Sequence, residues 1–139
     1  MRKRGKRKTE HSLGAVAVEF ALVAPVLLLL IAGIVEFAHG YNIQISVTQA
    51  AREAARNFAI TSDLTEASKA GRDGAPGLTP AKFAFTPSLS ACETGKNVTM
   101  TVTYAANSIT GFALVMQGKS VAVAKNFTVT GVGAMACGG

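Results

Sequence analysis

Glu19 stands inside an apolar stretch, GAVAVEFALVAPVLLLLIAGIV over residues 14–35, where it is the single charged residue. An ionised carboxylate in hydrocarbon costs several kcal/mol unless it is protonated or paired, so an acid at such a place is a functional candidate by default. The cation that would pair with it is not a side chain of residues 15–51, which hold no Lys or Arg. It can be an α-amino group. A cut between Gly14 and Ala15 would leave a new N-terminus four residues before Glu19. That amine could approach the Glu19 of its own chain, or neutralise that of a neighbour shifted along the helix axis. In the second case the pair sets the register of an assembly.

Other reactive residue types are sparse. His11 falls before the apolar stretch, and His39 stands one helical turn from Glu36, a spacing that fits either a pair or simple solvation at a membrane edge. The run GVGAMA (131–136) imitates a dinucleotide loop but lacks a third glycine and a following helix, so it reads as a tail. NVT at Asn97 and NFT at Asn126 match a glycosylation acceptor that carries little meaning in a bacterial host. No nucleophile–base constellation stands out, so an enzyme reading has no residues to carry it. No cofactor, metal, small-molecule substrate or nucleic acid is expected.

The charge distribution supports that exclusion. The chain has 139 residues with 14 Lys+Arg against 8 Asp+Glu, a length for one small domain. Six of those basic residues (Arg2, Lys3, Arg4, Lys6, Arg7 and Lys8) occupy the first eight positions. Setting aside residues 1–14, which also hold Glu10, leaves 8 basic against 7 acidic. The body is therefore nearly neutral, which disfavours a nucleic-acid surface. The uncharged run Phe20–Val35 is 16 residues, about 24 Å as helix against about 30 Å of hydrocarbon. Including Ala15–Val18 completes the span and takes Glu19 into it. The basic cluster before the span keeps the N-terminus cytoplasmic and places everything after Glu36 outside. A secretory signal peptide and a plain one-span anchor compete with this reading. The stretch is long for the first and has no convincing A-x-A site, and the second leaves Glu19 unexplained.

A short basic leader, Gly14, Ala15 and then an apolar helix with Glu19 at its fifth position resembles the N-terminus of type IV prepilins. The fuller stretch GAVAVEFALVAPVLLLLIAGIVEF (14–37) is similar to the TadE-like branch, the minor pilins or pseudopilins of Tad (Flp) pilus systems. QAAREAAR (49–56) resembles the Ala- and Arg-rich segment after that family's membrane helix. CETGKNVTMTVTY (92–104) resembles, more loosely, the Cys-x-x-Gly and alternating strand of actinobacterial members. The chain departs from many type IV pilins in having Ala15 where they carry Phe and Leu13 where a basic residue is common. The resemblance implies cleavage at Gly14–Ala15 by a prepilin peptidase at the cytoplasmic face. It also implies a single-pass inner-membrane protein, lipid and other Tad pilins as partners, and assembly by the Tad machinery. The alternative is an uncleaved, single-span anchored binding module.

The elements that must position these residues follow from periodicity. Val47, Ala50, Ala51, Ala54, Ala55 and Phe58 recur at helical spacing, with Arg52, Glu53 and Arg56 off the stripe. One helix is expected over 15–60, membrane-spanning in its first half. In its second half Ala51, Ala54, Ala55 and Phe58 form a packing stripe that something must cover. Pro25 is expected to kink the span, or to act as a flexible point where helices repack on leaving the bilayer. Residues 61–80, with Gly71, Gly74, Pro76, Gly77 and Pro80, read as a Gly/Pro-rich connector. Over 81–139 the period turns to two. Strands are expected at Phe83–Phe85, Val98–Tyr104 and Val121–Val129, with Lys125 breaking the last, and a short helix or apolar loop at Ile109, Phe112, Ala113 and Met116. The expected class is α+β, a long N-terminal membrane-spanning helix followed by a small antiparallel sheet, pilin-like. Cys92 and Cys137 both fall outside by the orientation argument. An even pair in an oxidising compartment favours a disulfide over two free thiols.

Overall fold

A computed structural model describes residues 9–109, 113–116, 119–122 and 126–138. The basic cluster over residues 1–8, together with Phe112, Val123 and Lys125, lies outside the described residues. Helix α1 runs Thr9–Thr61 and continues through Pro25. A second helix, α2, spans Leu64–Asp73. Strands β1 (Phe83–Pro87), β2 (Asn97–Asn107), β3 (Ala113–Met116), β4 (Lys119–Ala122) and β5 (Asn126–Ala136) follow. The architecture is α+β. The chain divides into two compact units, Met1–Val35 and Glu36–Gly139, with α1 contributing its last part to the second.

In the second unit β1, β2 and β5 form an antiparallel sheet with β2 central. The alternation read in the sequence is its register: Val98, Met100, Val102, Tyr104 and Ala106 are buried along one face of β2. The threonines between them lie on the other face, as a period of two requires. Against the buried face lies the last part of α1, with Ile43, Val47, Ala50, Ala51, Ala54, Ala55, Phe58 and Ala59 all buried. Phe83 closes one side of this core, its ring 4.8 Å from that of its cross-strand partner Tyr104. The Tyr104 hydroxyl accepts a hydrogen bond from the Thr79 amide at 3.2 Å.

Several local expectations change. The stretch expected as a turn-rich connector contains α2. Asp63 caps it by accepting from the amides of Thr65 (2.6 Å) and Glu66 (3.4 Å), which satisfies donors that a helix start leaves orphaned. Gly71 is a packing residue, not a breaker. A Cβ there would run into the Phe85 ring and the Ala50 carbonyl, so the glycine lets α2 cross close to both. Arg72, next along, places its guanidinium 5.5 Å over the same Phe85 ring. The true turn comes at Gly77, at φ +91°.

The short helix or apolar loop expected around Ile109–Met116 is corrected too: Ala113–Met116 pairs with Lys119–Ala122 as a separate two-stranded sheet. Short apolar runs do not tell helix from strand by spacing alone. The single strand expected over 121–129 is two, β4 and β5. The GVGAMA run read as a tail is the second half of β5, paired with β2 throughout.

Candidate functional site

Three groups of residues were singled out by their chemistry, and the fold treats them differently. Gly14, Ala15, Glu19 and Pro25 lie on α1 within the first unit and are exposed. Around Glu19 the helix surface is apolar and open to the outside: Val16, Val18, Phe20, Leu22 and Val23 are each more than half exposed. No cation among the described residues pairs with Glu19. The helix is already formed across the Gly14–Ala15 bond, and a side chain at Gly14 would meet nothing within 4 Å. One helix, from Gly14 to Thr61, is long and apolar enough to cross a membrane, and none of its most apolar window is buried.

The alanine stripe is covered by the chain's own sheet. Ala51, Ala54 and Ala55 are fully buried and Phe58 is 1% exposed. What lets the sheet come so near is a pair of glycines from the GVGAMA run, which by its spacing alone reads as a tail. A Cβ at Gly131 would sit 2.6 Å from the Val47 carbonyl oxygen, and one at Gly133 would overlap that of Ala51. Glycine in a strand interior weakens the strand, and it often marks where another backbone approaches closely. Here the other backbone is α1. The signal was present as G-x-G at period two, opposite alanines at helical spacing. Gln44 adds a polar tie, its side-chain amide donating to the Thr130 carbonyl at 3.0 Å.

Cys92 and Cys137 are joined in a disulfide, with their Cα atoms 5.4 Å apart. It fastens the end of β5 to the loop between β1 and β2. The Cys137 amide donates to the Lys96 carbonyl at 2.8 Å, and the Cys92 amide to the Ser62 hydroxyl at 2.9 Å. The same corner thus also holds the end of α1. Opposite the buried face of α1 lies an exposed row, Phe37, Tyr41 and Ile45, whose first two rings stack with centroids 6.5 Å apart. No group of three His, Cys, Asp or Glu that could hold a metal occurs among the described residues.

Residues 14–56 match the family model of the TadE-like proteins. No curated protein matches the chain, and no solved structure does. The matched segment contains Gly14, Ala15, Glu19, Pro25 and the buried stripe alanines Ala50, Ala51, Ala54 and Ala55. It ends before Phe58, α2 and the sheet.

Proposed function

We propose, on the premise that residues 14–56 are a TadE-like segment, that this chain is a minor pilin or pseudopilin of a Tad-type pilus, a structural or assembly component. It is anchored in the inner membrane by the apolar part of α1, with the N-terminus inside and the unit from Glu36 outside. A prepilin peptidase cuts the Gly14–Ala15 bond. The observation that carries this reading is Glu19: an exposed carboxylate on an apolar helix, without a cation among the described residues, four residues after Ala15. The cut supplies the missing cation as the Ala15 α-amino group. Pairing of that amine with the Glu19 of a neighbouring subunit aligns the two helices, and Pro25 gives the span room to repack. The partners are lipid, the peptidase, other pilins and the assembly machinery.

The helical backbone across Gly14–Ala15 favours a second reading, an uncleaved anchored binding module. A peptidase would have to unwind that turn. Glycine eases the step, since it lowers helix stability by about 1 kcal/mol relative to alanine. The experiment that separates the two is the intact mass and N-terminal sequence of the chain extracted from its native membranes. A chain beginning at Ala15 is the expected outcome. One still beginning at or near Met1 means the anchored module, and one beginning beyond Val35 means ordinary secretion.

A further inference from the structure

The three-stranded sheet has two edges, and they are built differently. β1 is short and ends in Pro87, which has no N–H to offer. β5 is the other edge, 11 residues from Asn126 to Ala136. It carries no charged residue and no proline, two of the devices that ordinarily keep an edge strand from pairing with another chain.

The hydrogen bonds fix the direction of its free groups. The Cys137 amide, one residue past β5, donates to the Lys96 carbonyl, one residue before β2. In an antiparallel ladder every second residue turns both its N–H and its C=O to the same neighbour. The register is unbroken from Asn97↔Ala136 to Asn107↔Asn126. Val129, Gly131, Gly133 and Met135 therefore bond to β2, while Thr128, Thr130, Val132 and Ala134 turn their backbone groups outward. The Thr130 carbonyl agrees, since it accepts from Gln44 of α1. Among the described residues no strand pairs with this outward side.

Gln44 also marks what lies beside the edge. With Tyr41, Thr48 and Arg52 it lines a groove along α1. Tyr41 is 62% exposed, and Arg52 has no ion pair among the described residues. A second copy of this chain fits the edge poorly. The α1 backbone runs directly beneath β5 at Gly131 and Gly133. Antiparallel pairing of two β5 strands would bring the two α1 helices to about one strand spacing, ~4.8 Å, where packed helices need about 8–10 Å. The edge has room for a strand with no helix beneath it.

We propose that β5 takes up an extended segment of another protein by strand addition. The segment bonds to the outward backbone groups of Thr128, Thr130, Val132 and Ala134. It lays aliphatic side chains on Tyr41 and Thr48 and sets a carboxylate against Arg52. Main-chain bonds supply the affinity in such a mode, and the alternate side chains supply the choice of partner. The acid is chosen by charge complementarity with an unpaired guanidinium. The inference concerns the unit from Glu36 alone and stands or falls separately from the pilus reading.

The test is amide hydrogen exchange of the full chain in detergent micelles, read residue by residue. The probe is a short synthetic strand of alternating valine and threonine carrying one glutamate. Controls are the same peptide with lysine for glutamate, and one N-methylated along its pairing edge. At about 100 times its Kd the glutamate peptide should slow exchange at Thr128, Thr130, Val132 and Ala134 about 100-fold. The lysine peptide should bind more weakly, and Arg52→Glu should reverse that order. Val132→Pro removes an outward N–H, which an edge strand tolerates, and should abolish the slowing while Gly131 and Gly133 stay protected. The N-methylated peptide should have no effect, a control that leaves the protein unaltered. Slowing by the N-methylated peptide, or none by the glutamate peptide, would overturn strand addition. Outward amides already slow without peptide would overturn it too. They would mean an edge covered by the chain itself, or by a second copy if the protection rises with protein concentration. Equal binding of the glutamate and lysine peptides would overturn the acidic partner.

Discussion

At the scale of single residues, Glu19 and Phe58 mark opposite uses of one helix. Glu19 is exposed on an apolar surface, where a carboxylate is tolerated only if something neutralises it. Under the proposed pairing, Glu19→Ala removes the register device but leaves the helix intact. The expected outcome is normal membrane insertion with loss of subunit assembly, read by cross-linking and by surface pilus yield. Glu19→Gln should lose assembly as well, because the amide carries no charge. Assembly at the wild-type level by either variant would refute the pairing. Phe58 is instead a side chain of the core, 1% exposed among the alanines. Phe58→Ala should destabilise the second unit by about 3–5 kcal/mol, as a transfer loss plus a cavity. Denaturant unfolding of the full chain in detergent, followed by tyrosine fluorescence, checks this.

At the scale of elements, the decisive contact is α1 against β5. Alanines at helical spacing meet glycines at strand spacing, so two backbones approach where side chains ordinarily separate them. Gly133→Ala puts a Cβ onto the Ala51 carbonyl and is expected to cost about 1–3 kcal/mol by overpacking. The neighbouring Ala134→Ser, on the exposed face, should stay within about 0.5 kcal/mol of wild type. Equal effects from the two would mean that α1 and β5 do not meet as described. The same close packing explains why α2 forms across a glycine. Gly71 weakens the helix locally, yet it is the residue that fits between Ala50 and Phe85.

At the scale of the whole molecule, the sheet is small and leans on α1 for its core. The disulfide adds a constraint at the corner where β5 ends. It closes a separation of 45 residues, and the chain-entropy model gives about 4 kcal/mol for a loop of that length. Reduction, or the double change Cys92→Ser and Cys137→Ser, should lower the unfolding free energy by an amount of that order, and with it the denaturation midpoint. The loss should fall on the unit from Glu36 and leave the helicity of the span unchanged by circular dichroism. A midpoint insensitive to reductant would mean that the Ser62–Cys92 and Lys96–Cys137 hydrogen bonds hold the corner alone.

Legible in the sequence were the features set by local pattern and by solvent. The apolar run, the misplaced carboxylate, the helical spacing from Val47 to Phe58 and the alternation from Val98 to Tyr104 each declare themselves over a few residues. They required a long helix, a strand and a small sheet. Hidden in the sequence were features whose cause lies elsewhere in the chain. Gly71, Gly131 and Gly133 look like breakers until the helix they make room for is in place. Ala113–Met116 is a strand because Lys119–Ala122 pairs with it, not because its own spacing excludes a helix. The tertiary structure decided which small residues are turns and which are contacts, since a missing Cβ has no meaning until there is an atom where it would have stood.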